Sequence, residues 1–242
     1  MAIADNLARV RERIATAAGC VGRSAAEITL MAVSKTFPAE RILEAYTAGV
    51  RVFGENRVQE FAGKAPMLHG LEGAEFHLIG HLQSNKAAKA VELFNAVDSV
   101  DSARLARKLN EAAGRLGRRL PVLIEVNLAG EEQKSGVADG SYGLKELLDV
   151  APSLEHLEFR GLMAIPPYSE DPETARPFFR KLREMRNELT ARNLPGISFE
   201  VLSMGMSHDF EVALAEGATC VRIGTAIFGD RTIGPSGDPV IG

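Results

Sequence analysis

The chain has 242 residues, 45% of them hydrophobic and 25% charged, with 28 Lys+Arg against 32 Asp+Glu for a formal net charge of −4. These values describe a globular protein with a sizeable core; they exclude a disordered tail or a fibre and argue against a nucleic-acid-binding surface. No apolar run approaches the ~18 residues that span a bilayer, and charged residues stand where a signal peptide would carry its apolar centre, so a cytoplasmic protein is expected.

Ile3, Leu7, Val10 and Ile14 recur at helical spacing and predict an amphipathic opening helix that ends near Gly19. The β-branched run Ile28 to Val33 then reads as a strand, with Thr36 and Pro38 at the start of a helix that stops before Gly49. The same unit returns as Val50 to Phe53 with 56–68, Phe76 to Ile79 with 84–92, Phe94 to Val97 with 102–116, and Val122 to Leu128 with 141–150. Phe159 to Ile165 with 173–192, Ser198 to Leu202 with 208–216, and Cys220 to Ile223 leading to Phe228 complete the series. Asp101, Asp171 and Ser207 are expected to cap the helices that follow them, and Gly117 and Gly217 to end the helices before them.

Strands alternating with helices demand a parallel sheet, and eight such units close into an α/β (β/α)8 TIM barrel with an extra N-terminal helix. An open doubly wound sheet is the alternative. No linker, repeat or low-complexity tract divides residues 1–242, so a single domain is expected. Arg115 to Arg119 and Arg180 to Arg186 alternate with apolar residues at helical spacing and read as solvated helix faces. Cys20 and Cys220 belong to no CxxC or Cys/His pattern, which points to reduced structural thiols. His77 and His81 flank a strand, where four residues span about 13 Å, too far for one metal ion.

In a barrel the chemistry lies at the C-terminal strand ends. Lys35 follows the first strand directly, where partial desolvation would lower its pKa and make a neutral amine nucleophile available; a solvent-pointing lysine is the plainer reading. Ser203-Met204-Gly205-Met206-Ser207 is expected to join the seventh strand to its helix, and Gly224-Thr225 follows the eighth. Small residues, hydroxyls and backbone N–H groups at a helix start are how barrels bind phosphate; each loop alone reads better as a tight turn, and the two together favour phosphate. Arg222 lies inside the apolar run Cys220-Val221-Arg222-Ile223, where a charge needs a partner. It is either a buried structural pair or a guanidinium facing the ring nitrogen of a pyridine cofactor. Lysine, phosphate loops and ring-facing arginine together are what pyridoxal 5′-phosphate (PLP) requires of a protein.

Ala32-Val33-Ser34-Lys35, Phe53 to Glu60 (FGENRVQE), His77 to Lys86 (HLIGHLQSNK), Arg160 to Ala164 (RGLMA), Leu202 to Ser207 (LSMGMS) and Val221-Arg222-Ile223-Gly224-Thr225 follow one another in the chain. Through these motifs the sequence resembles the PLP homeostasis proteins of the YggS/PROSC type, over residues 30 to 229. The resemblance implies a PLP fold-type III barrel related to the N-terminal domain of alanine racemase, with PLP held as an internal aldimine on Lys35. It further implies Asn56 close to the cofactor, Ser203, Met204 and Gly205 with Gly224-Thr225 at the phosphate, Arg222 at the pyridine nitrogen and His81 near the pocket. Phe37 stands where many members carry a second lysine, and Lys134 matches another family lysine with a suggested part in PLP transfer, for which a surface lysine is the alternative.

The expected function is PLP binding in vitamin B6 homeostasis without robust turnover, in a monomer for which PLP-dependent apo-enzymes are the candidate acceptors. A racemase-type PLP enzyme is the alternative. Racemisation needs a second acid/base group, supplied in alanine racemase by a tyrosine of a separate domain for which this chain is expected to be too short; Tyr46, Tyr142 and Tyr168 match no such role. A phosphosugar aldolase using Lys35 as a Schiff-base lysine would require a carboxylate network around it, of which the strand ends show little.

Overall fold

The computed structural model describes residues 2–130 and 135–229. Nine strands form one sheet: β1 (Thr29–Val33), β2 (Val52–Glu55), β3 (Glu75–Leu78), β4 (Ala96–Val100), β5 (Leu120–Asn127), β6 (Val137–Ala138), β7 (Leu157–Ala164), β8 (Ile197–Met206) and β9 (Cys220–Ile223). Their order is β4-β3-β2-β1-β9-β8-β7-β5, and β4 pairs back onto β5, so eight parallel strands close into a barrel. The doubly wound alternative has no such closure. Two-residue β6, which the sequence reading lacked, pairs with the C-terminal end of β5.

The helices are α1 (Ile3–Cys20), α2 (Ala39–Thr47), α3 (Val58–Leu68), α4 (Ala87–Leu93), α5 (Ala103–Arg115), α6 (Tyr142–Val150), α7 (Arg176–Ala191), α8 (Phe210–Ala215) and α9 (Thr225–Phe228). Helix α9 is a single turn, too short to cover β9. The amphipathic face of α1 covers it instead: Ile3, Leu7, Val10, Ile14 and Ala18 are all buried, and α1 packs against α8, α9 and α2. The extra helix therefore completes the outer ring. Each such apolar side chain contributes about 2 kcal/mol when withdrawn from water.

Two cores follow from the period-2 alternation of strand side chains. Outward residues such as Phe53, Leu78, Val97 and Ile124 meet the helices in the large core. Inward residues form a small barrel core of Met31, Val33, Ile79, Leu123, Met163 and Cys220. Continuing that inward register up each strand leads from Met31 and Val33 to Lys35, from Leu123 to Glu125, and from Cys220 to Arg222. The inside of the barrel is thus apolar at its waist and polar toward its C-terminal mouth.

Two backbone approaches depend on glycine. A Cβ on Gly161 would lie 1.8 Å from the Val201 carbonyl oxygen, so β7 and β8 meet at this point only without a side chain. A Cβ on Gly80 would lie 2.3 Å from the Asn56 carbonyl oxygen, which lets the segment after β3 nest under the one after β2.

Three local expectations are corrected. Ser203 to Met206 belong to β8 instead of a connecting loop, because the ladder to β9 continues to Met206↔Arg222. Helix α5 is capped by the Ser102 hydroxyl, which accepts from Leu105 N, while Asp101 turns toward His81. Ser207 does not cap α8, whose first turn follows Asp209. Asp171 caps the short 3-10 turn that leads into α7, and Gly117 and Gly217 adopt the left-handed conformation at helix ends.

Candidate functional site

Strands β1 and β9, remote in sequence, are neighbours in the barrel, with Met31 opposite Arg222 and Ala32 opposite Ile223. This pairing sets the turn after β1, which holds Lys35, beside the segment that begins α9. Lys35 is half-buried. Two aromatic rings join the elements: Phe37 stacks on Phe228 of α9 at 4.9 Å between centroids. The carbonyl of Ile227 accepts from Asn6 of α1, and that of Phe228 from Arg41 of α2.

Arg222 is 3% exposed and points inward. Its Nη1 donates to the carbonyl and the hydroxyl of Ser203, both at 2.7 Å, and its Nη2 donates to the Ala164 carbonyl at 2.8 Å. One guanidinium plane therefore ties β9 to β8 and β7. Burial lowers its pKa from the usual arginine value, opposed by the surrounding acidic groups, among them Asp98, Asp209 and Glu125. Both readings of Arg222 have a physical basis here, since it is structurally bonded and lies on the inward face.

The two phosphate candidates are placed unequally. Ser203 is fully buried and engaged by Arg222, Met204 lies in the outer core, and Gly205 packs against Phe210 and Ala213. Gly224 and Thr225 are at the mouth, Thr225 exposed as the first residue of α9. Ser207 is the residue that joins the two segments: its hydroxyl accepts from Gly224 N at 3.2 Å and Ala226 N at 3.4 Å. Sequence reasoning assigned this serine to α8 because it immediately precedes that helix. Only the barrel pairing shows that it serves α9.

Asn56 is half-buried just after β2, over Gly80. His81 is 57% exposed by its side chain and 3.2 Å from Asp101, so it belongs to the rim. His77 lies lower and turns to Asp98, both carboxylate oxygens at 3.2 Å. Burial alone would lower its pKa, but Asp98 and Glu75 outweigh it and push the imidazole up to about 9. The two histidines thus have separate carboxylate partners. Among the described residues no group of three or more His, Cys, Asp or Glu is arranged to hold a metal ion. Lys134 lies outside the described residues.

Several polar groups were not singled out in the sequence. Glu125 on β5 is buried; its Oε1 accepts from Ser135 at 2.9 Å, whereas Oε2 has no hydrogen-bond partner among the described residues. Burial raises its pKa, against a lesser opposing effect of the Ser135 hydrogen bond. A lone carboxylate within the run Val122 to Leu128 was the available signal, of the same kind that marked Arg222. Behind Lys35 lies a second group: Glu55 is buried, accepts from Ser34 Oγ at 2.6 Å and pairs with Lys64 at 3.1 Å, and Lys64 also meets Glu60 at 2.7 Å. This cluster meets the backbone on either side of Lys35 from α3 and β2. Burial raises the Glu55 pKa despite Lys64; at Glu60 burial is outweighed by Lys64 and the Thr36 N–H, and the pKa falls.

Of the tyrosines, Tyr168 after β7 is 78% exposed, with its ring 5.8 Å from that of His208. Cys20 is exposed; Cys220 is buried inside the barrel, and burial pushes its thiol up to about 12.

A closed parallel barrel with this mouth is of the alanine racemase N-terminal class, and the family model "Alanine racemase, N-terminal domain" matches residues 2–232. The Clostridium difficile alanine racemase shares the fold alone: 16% identity, TM-score 0.72, over 98% of this chain and 59% of that one. Nearer relatives are full-length matches. The pyridoxal phosphate homeostasis protein of Aquifex aeolicus is 47% identical over 94% of this chain and 97% of its own, and that of Escherichia coli K12 is 45% identical over 95% and 97%. The structure of PipY from Synechococcus elongatus with PLP bound has a TM-score of 0.81 at 39% identity, over 94% of this chain and all of that one. The chain belongs to the pyridoxal phosphate homeostasis protein family.

Proposed function

We propose that this chain binds PLP at the barrel mouth, covalently through Lys35, and serves to hold and release the cofactor without turning over an amino-acid substrate. The observation that carries the reading is the β1–β9 pairing, which places a half-buried amine beside the start of α9 with a buried guanidinium below. The donor set fits a phosphorylated pyridine aldehyde: an amine, a rim hydroxyl on Thr225, a helix start held in place by Ser207, and an arginine. The Oε2 of Glu125, on the inward face and without a partner among the described residues, fits a site whose polar complement comes from a ligand.

When bound, PLP supplies an aldehyde open to attack by a neutral amine, and a ring able to withdraw electrons. Lys35 is the anchoring amine, with Asn56 and His81 at the rim. Gly224 and Thr225 take the phosphate, with Ser203, Met204 and Gly205 supporting from β8. Arg222 keeps its proton at neutral pH, so as the partner of the ring nitrogen it would leave that atom unprotonated and restrain carbanion chemistry. This property and the names of the relatives favour carriage over catalysis. A cytoplasmic monomer that passes PLP to apo-enzymes completes the proposal.

The test is the absorption spectrum from 300 to 500 nm before and after borohydride, with peptide mass mapping. A band near ~420 nm that disappears on reduction, with the cofactor mass on the Lys35 peptide, is expected of covalently bound PLP. Lys35→Ala should lose the band and keep its melting temperature. A label on another lysine, or a wild-type protein that stays colourless with PLP, overturns the assignment; formation of D-alanine from L-alanine would favour the racemase reading.

A further inference from the structure

The turn that carries Lys35 is held on both sides by groups from α3 and β2. On the N-terminal side the Ser34 carbonyl accepts from Lys64 Nζ at 3.2 Å, and the Ser34 hydroxyl donates to Glu55. On the C-terminal side Thr36 N donates to Glu60 Oε1 at 2.6 Å, and the Thr36 hydroxyl donates to the Lys35 carbonyl at 2.5 Å. Glu60 and Lys64 lie four residues apart on α3 and bond to each other, so the two attachments form one brace. Lys64 keeps only 11% of its side chain exposed.

Thr36 has φ +69°, in the left-handed region. A β-branched residue is strained there, and such a conformation persists only where its surroundings enforce it. Two bonds hold it there: the turn bond from Phe37 N to the Ser34 carbonyl at 3.1 Å, and the bond from Thr36 N–H to Glu60. Without Glu60 only the turn bond restrains the Lys35–Thr36 peptide, and any rotation there re-aims the Lys35 side chain. A long, flexible lysine stem amplifies a small change at Cα into a large displacement at Nζ.

We propose that Glu60 and Lys64 are positioning residues for Lys35, bracing the backbone on either side of it so that its amine is presented into the barrel mouth. The proposal rests on the reading of Lys35 as the anchoring amine, and it explains why a polar cluster of two carboxylates and a lysine lies outside the mouth itself. Glu60→Gln keeps an acceptor for Thr36 N–H, Glu60→Ala removes it, and Lys64→Met removes the donor to Ser34 while leaving Glu60 in place.

The experiment compares these variants with the wild type in three readouts: melting temperature, the rate at which PLP-free protein acquires the borohydride-reducible band, and the rate of Lys35 acetylation by acetic anhydride without PLP, followed by peptide mass. Glu60→Ala and Lys64→Met are expected to slow loading by about tenfold or more, as for a misplaced reacting group, and to change Lys35 acetylation, with Glu60→Gln close to wild type. Lys64→Met carries the test should Glu60→Ala fail to fold. Wild-type loading and acetylation in the folded variants, with only the melting temperature lowered, would overturn the brace and leave a structural cluster. If the wild type forms no adduct on Lys35, the parent reading fails instead, and acetylation alone decides whether the brace orients the amine.

Discussion

At the scale of single residues, the polar groups inside the barrel are there because each has a partner with opposite demand. Arg222 donates to two carbonyls and a hydroxyl in the barrel interior, so Arg222→Met should cost about 3 kcal/mol or more in chemical denaturation, the penalty of buried acceptors that lose a charged donor. A loss under about 1 kcal/mol would mean that water replaces the guanidinium without cost. His77 offers a second test. Asp98 is the largest of the groups that oppose burial, so in Asp98→Asn, with only Glu75 left to raise it, the imidazole should titrate well below 9 when followed by proton NMR. An unchanged titration would remove Asp98 as the cause. Arg222 was legible in the sequence because a charge interrupts an apolar run. Asp98 and Glu125 interrupt runs in the same way, but nothing local says which charge across the barrel answers them.

At the scale of elements, the alternation of apolar runs and amphipathic helices was enough to place the eight barrel strands to within a few residues. Boundaries failed where tertiary pairing extends or redirects a segment. Strand β8 runs to Met206 because β9 offers it a ladder, and Ser207 leaves its neighbouring helix because the amides of α9 are nearer. The glycines at strand contacts carry definite expectations. Gly161→Ala would drive a methyl group into the Val201 carbonyl, part β7 from β8 and loosen the Arg222 bonds that span them, for a loss of about 3 kcal/mol by denaturant titration. A wild-type midpoint would show that the strands part at no cost. Gly80→Ala would push on the backbone of Asn56 at the rim. It should weaken PLP binding more than it lowers the melting temperature, and the opposite order would place Asn56 away from the cofactor.

At the scale of the whole molecule, closing the barrel joins the first strand to the last and thereby builds the site, while α1 fills the gap that the one-turn α9 leaves in the helical ring. The closed, mostly neutral interior also gives the protein a pH signature. His77 has a folded pKa of about 9 against ~6.5 unfolded, so its contribution is fully present below about pH 6.5 and is lost as pH rises through 9. Relative to His77→Gln, the wild type should lose on the order of 3 kcal/mol between pH 6 and pH 10 in denaturant titrations. A parallel pH dependence in the two proteins would show that the imidazole is not held protonated.

The sequence by itself determined the order of the barrel elements and the class of barrel, and it singled out Lys35, Arg222, Gly224 and Thr225 as candidates, because periodicity, turn residues and short motifs are local properties. What only the tertiary structure decided is which distant groups complete them: Ser207 with α9, Phe37 with Phe228, Asp98 with His77, and the brace of Glu60 and Lys64 about Lys35. The physical reason is that a buried hydrogen bond or ion pair is fixed by strand register and barrel closure, and neither is encoded within the few residues on either side of the group it satisfies.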